Sequence, residues 1–238
     1  MSILFDGSND YAYAEGTPPV TSYAGCTISL WRKRSTYDGG DCVALLGQKA
    51  GDADAASNYV MLYSNAFGDN ELYIKDATNR IATTVNSDIT GNWVHCAVVV
   101  VSNTERYAYL AGDTANRGGG SGLTSCAPAA FESCYLGSTP AGANDFNGRV
   151  AHIAIWDTAL SSAQIESLAA GAYPSTIATA NLKMYYPCTS ATAPGEDIIG
   201  GFDLTLAAQA QYSSDNPTVD DPPSTGTTLV PNVGSLVV

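Results

Sequence analysis

The sequence predicts an all-β protein, a sandwich of two antiparallel sheets with one short helix near residues 161–170. Short apolar runs recur along the chain between Gly, Asn, Asp and Ser turns, a pattern typical of strands joined by tight connections. The 238 residues include 23 Gly and 11 Pro, and only 14% are charged. That length and composition suit one large β domain that can bury a core of its own.

Six apolar runs define predicted strands, which in chain order are Val43–Leu46, Tyr59–Tyr63, Leu72–Ile74, Val94–Val101, Tyr107–Leu110 and Leu182–Tyr186. The residues Val98–Val101 are all β-branched, which favours a strand buried on both faces. The turn residues Ser102–Thr104 come next, so we expect a hairpin that joins this strand to the following one.

A longer strand is predicted from Val150 to Trp156. Successive side chains of a strand point to opposite faces, so the strand should carry two sets of buried residues. One set is Val150, His152, Ala154 and Trp156, and the other is Ala151, Ile153 and Ile155.

The helix follows this strand at once. Ser161 is a good N-cap, and Gln164 three residues later completes a capping box. Ile165 and Leu168 give the helix one apolar face, and Gly171 is placed to end it. A lone helix after a long strand is distinctive in a chain otherwise made of strands.

Several segments resemble, in order and spacing, the laminin G-like and pentraxin-like domains of the concanavalin A-like lectin/glucanase superfamily. They are Thr27–Trp31, Asn92–Val98, Tyr107–Gly112 and the strand-and-helix stretch 145–168. In the third segment Ala111 stands where the family has Asn. The resemblance implies a jelly-roll sandwich, and a fold does not by itself give a function.

Two parts of the chain differ in composition. The predicted laminin G-like domain occupies residues 1–219, and it starts near Met1 without the features of a secretory signal. Residues 220–238 form a Pro/Gly/Thr-rich arm that cannot build a core of its own. We expect this arm to be extended and to bind other copies or neighbouring proteins through its apolar residues Leu229, Val230, Val233 and Leu236.

The charge balance excludes several partners. Ten basic and 23 acidic side chains give a net charge of −13. The only basic cluster is Arg32-Lys33-Arg34, so nucleic-acid binding is not expected. Anionic membrane surfaces would repel the chain, and no apolar run is long enough for membrane insertion.

The six cysteines carry no zinc-site spacing, because none forms a Cys-x-x-Cys pair. Cys26 and Cys96 lie in apolar strand runs, where a reduced cysteine behaves as a small buried hydrophobe. We expect mostly free thiols, and Cys126 and Cys134 are the best candidates for a disulfide.

Catalysis is not predicted, and no cofactor is required. Glucanases of the resembled superfamily use a Glu-x-Asp-x-x-Glu strand, and this chain has none. Glu196 and Asp197 are adjacent and would point to opposite faces of a strand. The only histidines, His95 and His152, lie within strands and are expected to be structural.

One metal site is a candidate. In pentraxin-like domains calcium binds to acidic loops at a sheet edge, and here Asp52, Asp54 and Asn58 occupy a matching loop. The second acidic loop of that family is absent before Phe146. A second candidate group is formed by Asp6, Asn9 and Asp10. The alternative is that both groups are solvated turn residues without a metal.

Sugar binding is a further candidate, since lectins stack aromatic rings on the apolar faces of sugars. Trp31, Trp93 and Trp156 fall where the family buries them, so we expect them in the core. Less constrained aromatic residues, available to a glycan or to a subunit interface, are Tyr11, Tyr13, Tyr23, Tyr37, Tyr59, Tyr63 and Phe67.

These features favour a non-enzymatic structural or adhesion protein. The main hypothesis is a virion surface component of a bacterial virus, a capsid decoration, tail or fibre subunit, assembled in the host cytoplasm. The alternative is an extracellular glycan-binding module of a secreted adhesin or glycosidase. A degenerate glucanase is a third hypothesis, which the missing carboxylates disfavour.

Overall fold

A computed structural model describes residues 1–36, 40–51, 58–76, 79–88 and 90–217. It confirms the predicted sandwich of two antiparallel sheets with one α-helix. No described helix has the length and apolar character needed to cross a membrane. The predicted arm, with Leu229, Val230, Val233 and Leu236, lies outside the described residues.

The first sheet has eight strands: β1 Ser2–Asp6, β3 Cys26–Arg34, β8 Val94–Ser102, β9 Glu105–Leu110, β10 Gly118–Gly120, β12 Asn147–Trp156, β13 Leu182–Tyr186 and β15 Gln211–Ser213. Its order is β10-β9-β8-β3-β12-β1-β15, and β13 also pairs with β12.

The second sheet has seven strands: β2 Tyr11–Glu15, β4 Asp41–Gly47, β5 Asn58–Ser64, β6 Asp69–Asp76, β7 Asn79–Ser87, β11 Ser133–Leu136 and β14 Thr205–Ala207. Its order is β14-β2-β11-β4-β5-β6-β7. All six predicted strands fall within strands of the two sheets.

The main core lies between the sheets. Ile28 and Leu30 of β3 and Val98 of β8 face Leu62 and Leu72 of the second sheet, and all five are buried. The prediction for Val98–Val101 holds for three residues, but Val101 is 37% exposed. It lies near the end of β8, and it belongs to neither of the apolar clusters in which Val98, Val99 and Val100 are buried.

A second apolar cluster lies on the outer face of the first sheet. The helix α1, Ser162–Ala169, covers that face with Ile165 and Leu168, which pack with Trp156. The predicted capping box at Ser161 and Gln164 is confirmed. Two short 3-10 helices at Pro174–Thr176 and Thr179–Asn181 follow.

The predicted division of faces in β12 is wrong at its start. Val150 packs in the main core with Ile153 and Ile155, whereas Ala154 and Trp156 pack under α1. A β-bulge between Ala151 and Ala154 shifts the pairing with β3, and His152 has a φ of 49° there. The extra residue reverses the alternation, which a strict period of two does not foresee.

Trp156 is buried as expected, but Trp31 and Trp93 are only half-buried on the outer face of the first sheet. The indole Nε1 of Trp93 donates to Asp215 Oδ1 over 3.0 Å, and Lys33 Nζ lies 2.8 Å from Asp215 Oδ2. The Lys33 ammonium holds the pKa of Asp215 below its usual value. Asp215 therefore fastens the last described residues to the domain.

Buried charges connect the two sheets. The guanidinium of Arg32 in β3 donates to Asp88 Oδ2 (2.9 Å), the Gly68 carbonyl (2.9 Å) and Asn70 Oδ1 (3.3 Å). Arg34 lies 3.6 Å from the other oxygen of Asp88. All of these acceptors belong to the second sheet or its loops, so the contacts cross the sandwich.

Two more contacts extend this connection. The amide of Asn70 donates to the carbonyls of Ala97 (3.1 Å) and Tyr109 (2.9 Å) in the first sheet. Arg34 lies 3.8 Å from Asp41 at the start of β4. The buried side chains of Arg32 and Asn70 thus have hydrogen-bond partners, as burial requires.

All six cysteines are buried, and among the described residues they form no disulfide. Cys126 and Cys134, the best candidates for a disulfide, are not joined by one. Burial raises the pKa of Cys134 to about 12, so its reactive thiolate is disfavoured.

The glycine run at β10 allows one edge of the sandwich to close. A Cβ on Gly118 would lie 2.1 Å from the carbonyl oxygen of Thr83 in β7, closer than any real contact. A Cβ on Gly120 would meet nothing within 4 Å. The run therefore serves close packing between β10 and β7.

We predict that Gly118→Ala lowers the free energy of unfolding by about 1–3 kcal/mol, the usual cost of overpacking. Urea denaturation should measure the loss. Gly120→Ala, two residues along the same strand, is the matched control and should leave stability unchanged or slightly higher. Equal stability of the two variants would contradict the packing argument.

Candidate functional site

The outer face of the second sheet is rich in tyrosine. These side chains alternate along their strands with core residues such as Ala12, Val60 and Leu72, so they point away from the core. We call this surface the tyrosine face, after Tyr11, Tyr13, Tyr59, Tyr63, Tyr73 and Tyr135.

Strand register places one row of side chains across the face. Tyr13 pairs with Tyr135, Tyr135 with Leu45, Leu45 with Met61, and Met61 with Tyr73. Five adjacent strands span roughly 19 Å at the usual strand spacing. The row thus carries aromatic rings at both ends and an apolar centre.

The rings form two groups. Tyr11, Tyr13 and Tyr135 form a triangle, with ring centroids 5.5 to 6.2 Å apart. At the other end, the centroids of Tyr63 and Tyr73 are 4.8 Å apart. All but Tyr135 are partly exposed, so their rings are available to a ligand.

A carboxylate stands beside each group of rings. Tyr135 Oη donates to Glu15 Oε1 over 2.6 Å. Glu71 Oε1 accepts hydrogen bonds from Asn65 Nδ2 (3.0 Å) and Thr83 Oγ1 (3.1 Å). These bonds fix the direction of both carboxylates and leave acidic oxygen atoms next to the rings.

Four phenols of the face, those of Tyr59, Tyr63, Tyr73 and Tyr135, remain protonated well above neutral pH. Burial, together with the neighbouring Glu71 carboxylate, raises the pKa of Tyr73 to about 12. Burial and Glu15 raise the pKa of Tyr135 as well. The pKa values of Tyr59 and Tyr63 are raised mainly by burial. Each phenol therefore stays a hydrogen-bond donor.

A loop narrows the middle of the face. Residues 139–144 cover Leu45 and Tyr59 and leave a cavity of about 190 Å³. The Thr139 amide donates to the Ala143 carbonyl over 3.1 Å, which closes the loop on itself. The cavity has an aromatic wall and polar groups of the loop, including Asn144.

The sequence identified part of this face. Tyr11, Tyr13, Tyr59 and Tyr63 lie on it, while Tyr37 lies outside the described residues. Two other candidates lie elsewhere: Tyr23 donates to Asn103, and Phe67 is 78% exposed in a turn.

Two tyrosines of the face were missed. Tyr73 and Tyr135 each sit between buried residues of a strand, and that alternation is the signal that could have identified them.

The predicted calcium loop is only partly described. Asp52 and Asp54 lie outside the described residues. Asn58 begins β5, and its Oδ1 accepts a hydrogen bond from the Ala129 amide (3.1 Å). Calcium binding at this loop stays a prediction.

The second candidate group serves a turn. The carboxylate of Asp10 accepts hydrogen bonds from the backbone amides of Asp6 (2.9 Å) and Gln209 (2.7 Å). The backbone amide of Asn9 donates to the carboxylate of Asp145 (3.0 Å). Among the described residues, no cluster of three or more His, Cys, Asp and Glu side chains is arranged to hold a metal.

Both histidines are buried in the first sheet. His95 Nε2 is 2.8 Å from Ser29 Oγ, with the Trp31 ring against it. His152 Nδ1 is 2.7 Å from the Tyr185 hydroxyl. Burial lowers the pKa of His95 to about 3, so that ring is neutral and held by its neighbours.

Comparisons with known proteins agree with this architecture. A laminin G-type family model, described as the concanavalin A-like lectin/glucanases superfamily, matches residues 6–166. No match is found among curated proteins.

Three solved structures share the fold. The heptameric SAP-like pentraxin from Limulus polyphemus is 14% identical, with 89% of this chain and 92% of that chain covered and a TM-score of 0.56. A protein of Bacteroides ovatus ATCC 8483, proposed to bind carbohydrate, is 16% identical. The match covers 93% of this chain and 61% of that chain, with a TM-score of 0.61. The third is domain 4 of AbnA, a GH43 extracellular arabinanase from Geobacillus stearothermophilus, in complex with arabinotriose. It is 20% identical, and the match covers 70% of this chain and 86% of that chain with a TM-score of 0.52.

We predict that His95 makes the fold sensitive to acid. Its folded pKa lies below the ordinary 6.5, so the neutral form stabilises the fold fully above pH 6.5, and this stability is lost as pH falls toward 3. Urea denaturation between pH 7 and 5 should measure the free energy of unfolding of both proteins. With each pH unit of acidification, this free energy should fall by up to about 1.4 kcal/mol more in the wild type than in His95→Gln. Parallel pH profiles of the two proteins would contradict this.

Proposed function

Because this chain belongs to the concanavalin A-like lectin/glucanase superfamily, we propose that it is a glycan-binding module whose ligand lies across the tyrosine face. The single observation that carries the proposal is the row of side chains in register across the second sheet, with the partly exposed rings of Tyr13 and Tyr73 at its ends. Aromatic rings offer flat apolar surfaces, and tyrosine adds a polar hydroxyl at its edge. Sugars present the complementary combination of apolar C–H faces and hydroxyl groups.

The shape of the face favours an extended saccharide. Tyr13 and Tyr73 lie at opposite ends of a row that spans roughly 19 Å. The cavity over Leu45 and Tyr59 lies between these ends and can hold one side group of a chain. A ligand of several sugar rings would contact both groups of tyrosines at once.

The charges of the face favour a neutral saccharide. Glu15 and Glu71 stand beside the rings, where carboxylates accept hydrogen bonds from sugar hydroxyls. Lys75 Nζ lies 5.9 Å from the centroid of the Tyr59 ring. Among the described side chains of the face there is no guanidinium, the usual partner of an acidic sugar.

The comparisons support a glycan-binding module better than they support a virion surface component. Among the proteins that share the fold, the Bacteroides ovatus protein is proposed to bind carbohydrate, and domain 4 of AbnA was solved with arabinotriose. None of the compared structures is described as part of a virus particle. We accordingly propose a non-catalytic module acting outside the cell. Calcium at Asp52, Asp54 and Asn58 and self-association through residues 220–238 stay predictions.

Calorimetric titration with cellotetraose, xylotetraose, mannotetraose and arabinotetraose tests the proposal. The wild type should bind at least one of them. Tyr13→Ala and Tyr73→Ala should each weaken that affinity roughly tenfold or more, because each removes one ring from the contact.

Tyr212→Ala is the matched control. Tyr212 is a partly exposed tyrosine on β15 of the other sheet, so its loss should leave the affinity unchanged. Circular dichroism should show that all three variants are folded. Absence of binding to every saccharide, or equal affinity of the wild type and both face variants, would refute the proposal.

A further inference from the structure

A second groove lies on the outer face of the first sheet, on the opposite side of the sandwich from the tyrosine face. It has a volume of about 350 Å³, within the range of small-ligand sites. Its walls are β8 and β9 on one side and the residues at the start of α1 on the other. The residues that line it include Val99, Val101, Glu105, Tyr107, Arg117 and Ser162.

Arg117 is held in one orientation within this groove. Its guanidinium carbon lies 4.3 Å from the centroid of the Tyr107 ring. Its Nη1 donates to the hydroxyls of Tyr109 (3.2 Å) and Ser162 (2.8 Å). Stacking and two hydrogen bonds on one nitrogen leave the other guanidinium edge pointing away from these contacts.

Among the described residues, Arg117 has no carboxylate partner for its charge. Of the ion pairs between described residues, none includes Arg117, although the chain carries 23 acidic side chains. Nε and Nη2 make no hydrogen bond to a described residue either. An oriented guanidinium with a free edge in a groove is suited to bind a carboxylate through two parallel hydrogen bonds.

The rest of the groove narrows the class of ligand. Val99 and Val101 form an apolar floor about 7 Å long, and Val101 is 37% exposed. Glu105, the other charged side chain, accepts a hydrogen bond from Tyr107 (2.9 Å) and retains oxygen lone pairs for further donors. A bare anion would be repelled by Glu105, whereas a ligand with a carboxylate, hydroxyl groups and an apolar face would satisfy all three features.

We infer that this groove is a second binding site, specific for a sugar acid. The carboxylate of a uronic acid lies on Arg117, its ring lies over Val99 and Val101, and its hydroxyls donate to Glu105. The choice of a saccharide as carrier of the carboxylate rests on the proposed function, whereas the anion preference comes from the groove alone. The two sites would then bind differently charged parts of a polysaccharide on opposite sides of the domain.

Titration monitored by ¹H–¹³C NMR of the valine methyl groups tests this inference. Methyl glucuronide should shift the methyl signals of Val99 and Val101. Glucuronamide, its neutral isostere, should bind about tenfold more weakly or not at all, as expected when a charge-assisted pair is lost. This comparison changes only the ligand, so it does not depend on the folding of a variant.

Protein variants give the complementary test. Arg117→Met should weaken glucuronide binding about tenfold or more, as the loss of the same charge-assisted pair predicts. Lys183→Met removes the same charge elsewhere in the first sheet and should leave the binding unchanged. Tyr13→Ala should also leave it unchanged, so failure here is distinguishable from failure of the tyrosine face.

Four results would overturn the inference. The first three are the absence of any glucuronide shift at Val99 and Val101, equal binding of glucuronide and glucuronamide, and undiminished binding by Arg117→Met. Acetate and inorganic phosphate serve as competitors. Displacement of the glucuronide by either one at equal concentration would show a general anion site, and the assignment to a sugar acid would be wrong.

Discussion

The Arg32–Asp88 ion pair is the contact on which the relation between the two sheets depends. Both side chains are almost fully buried, and Arg32 also bonds the Gly68 carbonyl and Asn70. A buried ion pair whose partner is removed leaves an uncompensated charge, which typically costs about 3–5 kcal/mol. The apolar core tolerates small sliding movements, but these directional bonds allow one arrangement. They fix the turn before β6, and through it the position of Tyr73.

The two outer faces of the sandwich are used differently. On the first sheet, α1 covers Trp156 and part of β8, and the groove at Arg117 remains beside the covered region. On the outer face of the second sheet the described residues form no helix, and tyrosine rings lie where a helix would otherwise pack. A tyrosine ring shields the strands beneath it while its edge stays in contact with solvent. The same residues can therefore protect the sheet and bind a ligand.

Much of the fold could be predicted from local patterns. The six strands, the capping box at Ser161 and the family motifs all depend on residues close together in sequence, where periodicity and side-chain chemistry decide the outcome. The bulge at His152 could not be predicted, because its extra residue is tolerated through pairing with β3, far away in sequence. Likewise, alternation shows that Tyr135 points outward, but only sheet topology places it beside Leu45 and Tyr13. The site at Arg117 depends on three separate segments and has no local signal.

The hydrogen bonds of Asp215 also define a front and a back for the domain. Asp215 contacts Lys33 and Arg149, which point to the outer face of the first sheet because Arg32 and Val150 beside them point inward. Asp215 therefore lies on the opposite side of the sandwich from the tyrosine rings. A bead, a dye or a fused protein attached on the Asp215 side of the domain would leave the tyrosine rings facing the solution. A probe attached there would be well placed for display of the module on a surface and poorly placed to report ligand binding by proximity.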